Sequence, residues 1–269
     1  MRKAFRAAGF LLLTATLLAA HDTWLVPVPI ETGFRVTPGQ PVKVALNTSE
    51  DFPTSEAAAA PDRIARFEAV TASGRAAVGG YRVEGKSLVA EVTPGAGVTL
   101  VAAVTRPRLI VLEAPIFTEY ITEEGLKQIV AARAVRGESD QPGRERYSKV
   151  AKLALCADGA GADFRQPLGL PVEIIPENNP CELRVGDTLR VQVLFEGRPL
   201  AGVQVGAGYA GVHGHHYPVW VETDAAGRAA VPLDRAGAWF VRTLHMIPST
   251  EFEDADWQSW FSTLTFEVR

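Results

Sequence analysis

Cysteine is nearly absent from this chain: Cys156 and Cys181 are the only two in 269 residues, and neither lies in a CxxC spacing. That pattern disfavours a thiolate metal site of the zinc-ribbon kind. In an oxidising compartment the pair can form a disulfide, and closing that loop would constrain the unfolded chain by about 3.5 kcal/mol. Two unpaired thiols are the alternative. Basic clusters are also missing, which argues against nucleic acid and anionic membrane surfaces as partners. After the first twenty residues no apolar run is long enough to span a bilayer. No GxSxG or HExxH sequence occurs, so the common hydrolase signatures give no lead. Histidine is scarce too, with five in the whole chain.

The start of the chain reads as a secretory signal over residues 1–20. Arg2, Lys3 and Arg6 form a positive region, Phe10 to Ala20 an apolar one, and Ala20 a small residue at the cut. Leu18, three residues before the cut, is a less typical choice than Ala, so a cut displaced by one residue stays open. Export would leave 249 residues with 24 basic and 31 acidic side chains, a formal charge near -7. Cleavage after Ala20 makes His21 the first residue of the mature protein, with a free α-amino group beside its own imidazole. Those two nitrogens can close a chelate ring on one metal ion.

The remaining chain reads as mainly β, with two antiparallel sandwich or barrel-like domains joined by a short helical connector. Residues 21–117 form the first domain, with short strands expected at Arg66–Thr71, Gly80–Glu84, Ser87–Val92 and Val98–Val104. Thr54 to Pro61, Ala-rich and polar, reads as an exposed loop. Residues 118–169 read as connector and loop. Thr122 with Glu123 and Glu124 resembles a helix start, and a second helix is expected from Arg144, with Tyr147, Val150, Ala151 and Ala154 on one side. Residues 170–269 read as a sandwich of immunoglobulin or transthyretin type. Its strands are expected at Thr188–Phe195, Ala201–Tyr209, Arg228–Leu233, Gly237–Met246 and Ser262–Val268, with turns at Glu196–Pro199 and Thr223–Gly227.

Candidate metal ligands are His21, His213, His215, His216 and His245. Three of the five fall within His213-Gly214-His215-His216, a glycine-spaced loop in which several imidazoles can converge. His245 lies near a strand end. Alternation puts it on one face with Trp239, Val241 and Thr243, so it is either a core histidine or a ligand reaching the histidine loop. Asp22 can add an oxygen ligand or orient one from behind, whereas Trp24 is expected to pack in the core. The acidic stretch from Glu251 to Asp256 reads as a solvated loop, and Trp257 and Trp260 as core.

The mature start His21-Asp22-Thr23-Trp24-Leu25 resembles the opening of the DUF4198 family, which includes NikK-type periplasmic components of nickel uptake systems. Tyr147 to Lys152, Leu170 to Pro176, Gly186 to Leu189, Gly197 to Leu200 and Leu264 to Phe266 extend the resemblance along the chain. The segments Gly197–Leu200 and Thr223–Arg228 are similar to turns of transthyretin-like modules. The resemblance implies an exported, periplasmic, non-enzymatic protein that binds Ni2+ or Co2+ and delivers it to an inner-membrane transporter, with His21 and His245 among the ligands. Nickel comes from the resemblance alone, since nitrogen ligands by themselves favour copper in affinity. A copper-binding protein, a histidine-brace copper enzyme and a structural docking module are the competing functions.

Overall fold

A computed structural model describes residues 21–214 and 216–269. The expected signal at 1–20 lies outside the described residues, as does His215. In chain order the elements begin with β1 (Asp22–Val28), the single helical turn α1 (Ile30–Gly33) and β2 (Val42–Ser49). They continue with β3 (Ile64–Thr71), β4 (Gly74–Ala77), β5 (Arg82–Glu84), β6 (Ser87–Val92), β7 (Val98–Thr105) and β8 (Arg108–Leu112). The helices α2 (Ala114–Glu123) and α3 (Lys127–Arg136) precede β9 (Gly143–Cys156), β10 (Val172–Pro176), β11 (Thr188–Phe195) and β12 (Arg198–Pro199). The last are β13 (Gln204–Tyr209), β14 (Val219–Glu222), β15 (Arg228–Pro232), β16 (Gly237–Pro248) and β17 (Trp257–Val268).

The chain is mainly β, and among the described residues its strands form three open sheets rather than a closed barrel. A nine-stranded sheet runs in the order β14-β13-β16-β17-β9-β7-β3-β4, with β8 also paired to β9. Every pairing in it is antiparallel except β9 with β17. This sheet is the middle of a sandwich. On one face the even residues of β7, β9 and β17, such as Leu100, Val150 and Leu264, join the sheet β10-β11-β12 with β15 in one apolar core. On the other face the odd residues of β7 and β9, such as Val101 and Leu153, meet the sheet β1-β2-β6-β5. The helices cover the rest of that second face, where Phe117, Ile121 and Ile129 pack on Tyr147, Leu244 and Phe261.

The expected connector at 118–169 is where the structure differs most. Thr122 lies at the end of α2 rather than at a helix start, and α2 begins instead at Ala114, with Pro115 in its first turn. The helix expected from Arg144 is strand β9, which pairs with both β7 and β17 and so carries one sheet through both β regions. The physical reason is burial on both faces. From Tyr147 to Cys156 every residue of β9 is buried, so its side chains show no alternation in polarity. Lys149 and Lys152 break the apolar run at a three-residue interval that imitates a helical face.

Most other expected strands are present with small boundary changes, and β6 and β11 match to the residue. The turn before Arg198 uses Glu196 and Gly197, both with positive φ (49° and 75°). Gly227 must stay Cβ-free, because a Cβ there would come within 2.6 Å of the Val193 carbonyl oxygen. Trp257 and Trp260 are buried, as expected, but within β17 rather than in a loop. Cys156 and Cys181 form the disulfide, which fastens the end of β9 to the segment after β10.

Candidate functional site at the start of β1

Strand β1 is laid down between β2 and the face of the large sheet, so the residues that begin it are buried. Thr23 pairs in register with Thr48, and their hydroxyls are 2.9 Å apart. Thr263 on β17 donates to the Thr23 carbonyl at 2.7 Å. Alternation then sends Trp24 to an aromatic cluster, with its ring 5.1 Å from Phe52 and 5.6 Å from Phe240. The core role expected for Trp24 is what the structure has.

His21 is 4% exposed and is held from three directions. Its Nε2 lies 3.1 Å from the Glu50 carboxylate, and its Nδ1 lies 3.4 Å from that of Glu56. Its carbonyl accepts a hydrogen bond of 2.6 Å from the Nζ of Lys149. Both glutamates come from the segment after β2, which the antiparallel pairing with β1 brings back over the start of that strand. The next residue, Asp51, accepts from the Gly214 backbone at 3.3 Å and lies 3.0 Å from Nδ1 of His213. His213 and His216 are exposed in the loop after β13. His21 and His213 therefore reach adjacent carboxylates of one loop, Glu50 and Asp51.

His245 is elsewhere. On β16 it shares the face of Trp239 and Val241, and its ring lies 4.5 Å from that of Phe195 and 6.4 Å from that of Trp260. The neighbouring Arg242 and Leu244 point to the opposite face, the one that β1 and the helices cover. The large sheet thus separates His245 from His21. Burial pushes its imidazole down to about 4, the behaviour of a core histidine kept neutral. The sequence offered His245 as a partner of His21, and the structure has the two on opposite faces of the large sheet.

Asp22 faces inward, away from the position expected of an added ligand. Its carboxylate accepts from the Tyr217 hydroxyl at 2.5 Å and from Arg242 at 3.2 Å. Arg242 also forms a two-armed pair with Glu124. Burial alone would lower the Arg242 guanidinium, but the carboxylates of Asp22 and Glu124 outweigh it and hold it well above its usual range. Close by, burial raises the Glu145 carboxyl to about 7 against hydrogen bonds from Ser259 and Tyr120. Burial likewise lowers Lys149 to about 7, with Asp22 and Glu145 opposing. A charged layer of Asp22, Arg242, Glu124, Lys149 and Glu145 therefore lies beneath His21, and Asp22 positions β1 from behind.

Among the described residues no three His, Cys, Asp or Glu side chains gather tightly enough to hold a metal by themselves. The segment Gly80 to Ser87 spells the GxxxxGKS pattern of a phosphate-binding loop, but it folds as the hairpin β5–β6 with no helix after it. The context that would make it bind phosphate is missing. Glu50, Asp51 and Glu56 went unnoticed in the sequence. Two adjacent acids directly after a strand were the only available signal, and it needed the β1–β2 pairing to acquire meaning.

Among the described residues no helix is long and apolar enough to cross a membrane. Among curated proteins, none matches the chain. Of solved structures, the D0-D1 domain of Intimin is similar at 11% identity, covering 91% of this chain and 98% of that one, with a TM-score of 0.22. Escherichia coli alpha-2-macroglobulin activated by porcine elastase is similar at 10% identity, over 93% of this chain and 22% of that one, with a TM-score of 0.21. At such scores neither likeness carries an argument. A family model described as a domain of unknown function, DUF4198, matches residues 18–247, from before β1 almost to the end of β16. On that match the chain belongs to the DUF4198 family.

Proposed function

We propose that the mature chain, cut after Ala20, is a periplasmic binding protein that captures Ni2+ or Co2+ at His21 for delivery to an inner-membrane transporter. The observation that carries this reading is the enclosure of His21, whose two ring nitrogens each face a carboxylate. In the mature chain the α-amine and Nδ1 chelate the ion. Glu50 holds Nε2–H from behind, the arrangement by which carboxylates orient metal-bound imidazoles. Glu56, on the Nδ1 side, is placed to add an oxygen, and the exposed His213 and His216, with His215 between them in sequence, supply exchangeable imidazoles. A mixed set of nitrogen and carboxylate oxygen suits borderline divalent ions better than Cu(I), which prefers sulfur. The periplasm, the transporter and the choice of nickel rest on the resemblance to NikK-type components. Ligands that leave one at a time suit a carrier, and the reading is of a non-enzymatic protein.

The test is calorimetric titration of the metal-stripped chain, its first residue verified as His21 by intact mass, with Ni2+ and Co2+. One ion per chain is expected. His21→Ala, or one glycine added before His21, should each weaken binding about 100-fold or more, close to the loss of roughly 2.7 kcal/mol of chelation. Tight binding that survives both changes, or a correctly cut chain that takes up neither ion, would overturn the reading.

A further inference from the structure

We propose that strand β8 joins two copies of this chain, pairing antiparallel with its own counterpart about a twofold axis so that one sheet runs through both. Among the described residues β8 pairs with β9 alone, and no strand lies along its far edge. It reads Arg108-Leu109-Ile110-Val111-Leu112, four consecutive apolar residues after one cation, and Val111 is 49% exposed. Soluble proteins ordinarily blunt such an edge with charge, proline or a covering segment. Strand β5, at the edge of a smaller sheet, carries Arg82 and Glu84 in that role.

The backbone fixes what this edge offers. On β9 the main chain of Arg144 turns toward β17: its N–H donates to the Asp256 carboxylate at 3.2 Å, and its carbonyl accepts from the Asp256 N–H at 2.8 Å. Alternate residues of β9 turn the other way, as the Lys149 N–H does in donating to the Thr105 hydroxyl on β7 at 2.8 Å. Gly143, Glu145 and Tyr147 therefore bond to their register partners Leu112, Ile110 and Arg108. That leaves the N–H and C=O groups of Leu109 and Val111 directed outward. In an antiparallel ladder, opposed residues that both point inward exchange both of their bonds. Leu109 then opposes Val111 of the second copy, Val111 opposes its Leu109, and the two Ile110 residues meet on the axis. Paired residues share a face, so the apolar contacts continue on both sides of the joined sheet. Ile110 already packs beside the helix-covered core.

The two ends of β8 differ in charge. Arg106 and Arg108 lie at its start, where Arg63 donates to the Arg106 carbonyl at 2.8 Å and Asp62 is the one neighbouring acid in sequence. Glu113 follows the last residue of the strand, and its side chain makes no capping bond to α2. Antiparallel pairing lays the basic end of each copy beside the acidic end of the other, whereas a parallel arrangement would set like charges together. The approach is clear of α2, which leaves β8 at Ala114 and heads back across the sheet, with Phe117 and Ile121 packed near Tyr147 and Phe261. Two short edges bury little area, so the dimer is a weak one, in the micromolar range. It stands apart from metal binding at His21.

The test is sedimentation velocity of the mature chain from micromolar to near-millimolar concentration, with amide hydrogen exchange read by NMR at both ends of that range. The sedimentation coefficient should rise as monomer gives way to dimer. The Leu109 and Val111 amides should gain protection at the high concentration, while that of Ile110, bonded to β9, is protected throughout. Val111→Lys should weaken association about tenfold or more, because each dimer carries the change twice. Val111→Pro removes an outward N–H without taking a bond from β9, and should leave a monomer. The Val111 side chain is exposed, so Val111→Lys decides the matter if Val111→Pro fails to fold. A parent that stays monomeric near millimolar concentration, a dimer as tight in Val111→Lys as in the parent, or protection that rises elsewhere and not at Leu109 and Val111 would each overturn the proposal.

Discussion

The imidazole of His245 illustrates how one side chain can look like a ligand and behave as packing. Its ring packs against Phe195, which also meets Trp260, and burial lowers its pKa from 6.5 to about 4. In the unfolded chain it titrates near the ordinary value, so between those two pH values the unfolded state binds more protons than the folded one. Stability attributable to this residue is therefore complete above pH 6.5 and is lost as pH falls toward 4, by about 3 kcal/mol at most. His245→Phe fills the same aromatic slot without a proton to gain. Urea unfolding at pH 7 and again near pH 4.5 should show a smaller acid loss for the variant than for the parent. Ni2+ binding at neutral pH should be the same for both, since this ring lies across the sheet from His21.

Among the elements, β16 is tied to β1 and to the end of α2 through Arg242, which is 1% exposed and bonded to Asp22 and Glu124. Arg242→Met keeps the length of the side chain but strands two buried carboxylates. It should cost about 3–5 kcal/mol in denaturant unfolding, the penalty of breaking a buried ion pair from one side. A second substitution, Asp22→Asn in the same background, should return part of that loss. Strands such as β6 and β11 were legible in the sequence because turns bound them and their burial partly alternates. β9 was not legible, because Lys149 and Lys152 leave an otherwise buried strand by opposite faces. Lys149 goes to His21 and Lys152 to Glu173. Period-two alternation correctly placed His245 with Trp239. It could not say on which side of the sheet the start of the chain would lie. The acids around His21 stayed hidden for the same reason, since strand pairing is a property of the folded chain.

For the whole molecule, β9 joins the β regions before and after it in one nine-stranded layer, with apolar cores on both sides. The disulfide adds a covalent link from β9 to the segment following β10. Unfolding should therefore be one cooperative event. Tryptophan fluorescence, weighted to β1, β16 and β17, and far-ultraviolet ellipticity should give coincident urea transitions. Separate midpoints would mean that residues 21–117 and 170–269 melt as independent units.

Strand β17 lies between β16 and β9, in the interior of that layer, and is among the last residues of the sequence. A chain emerging amino end first would present β1, β7 and β9 long before the strand that must sit beside β9. The middle of the sheet then remains an open slot until Trp257 to Val268 have arrived. Deleting Trp257 to Val268 would remove a central stave rather than trim an edge.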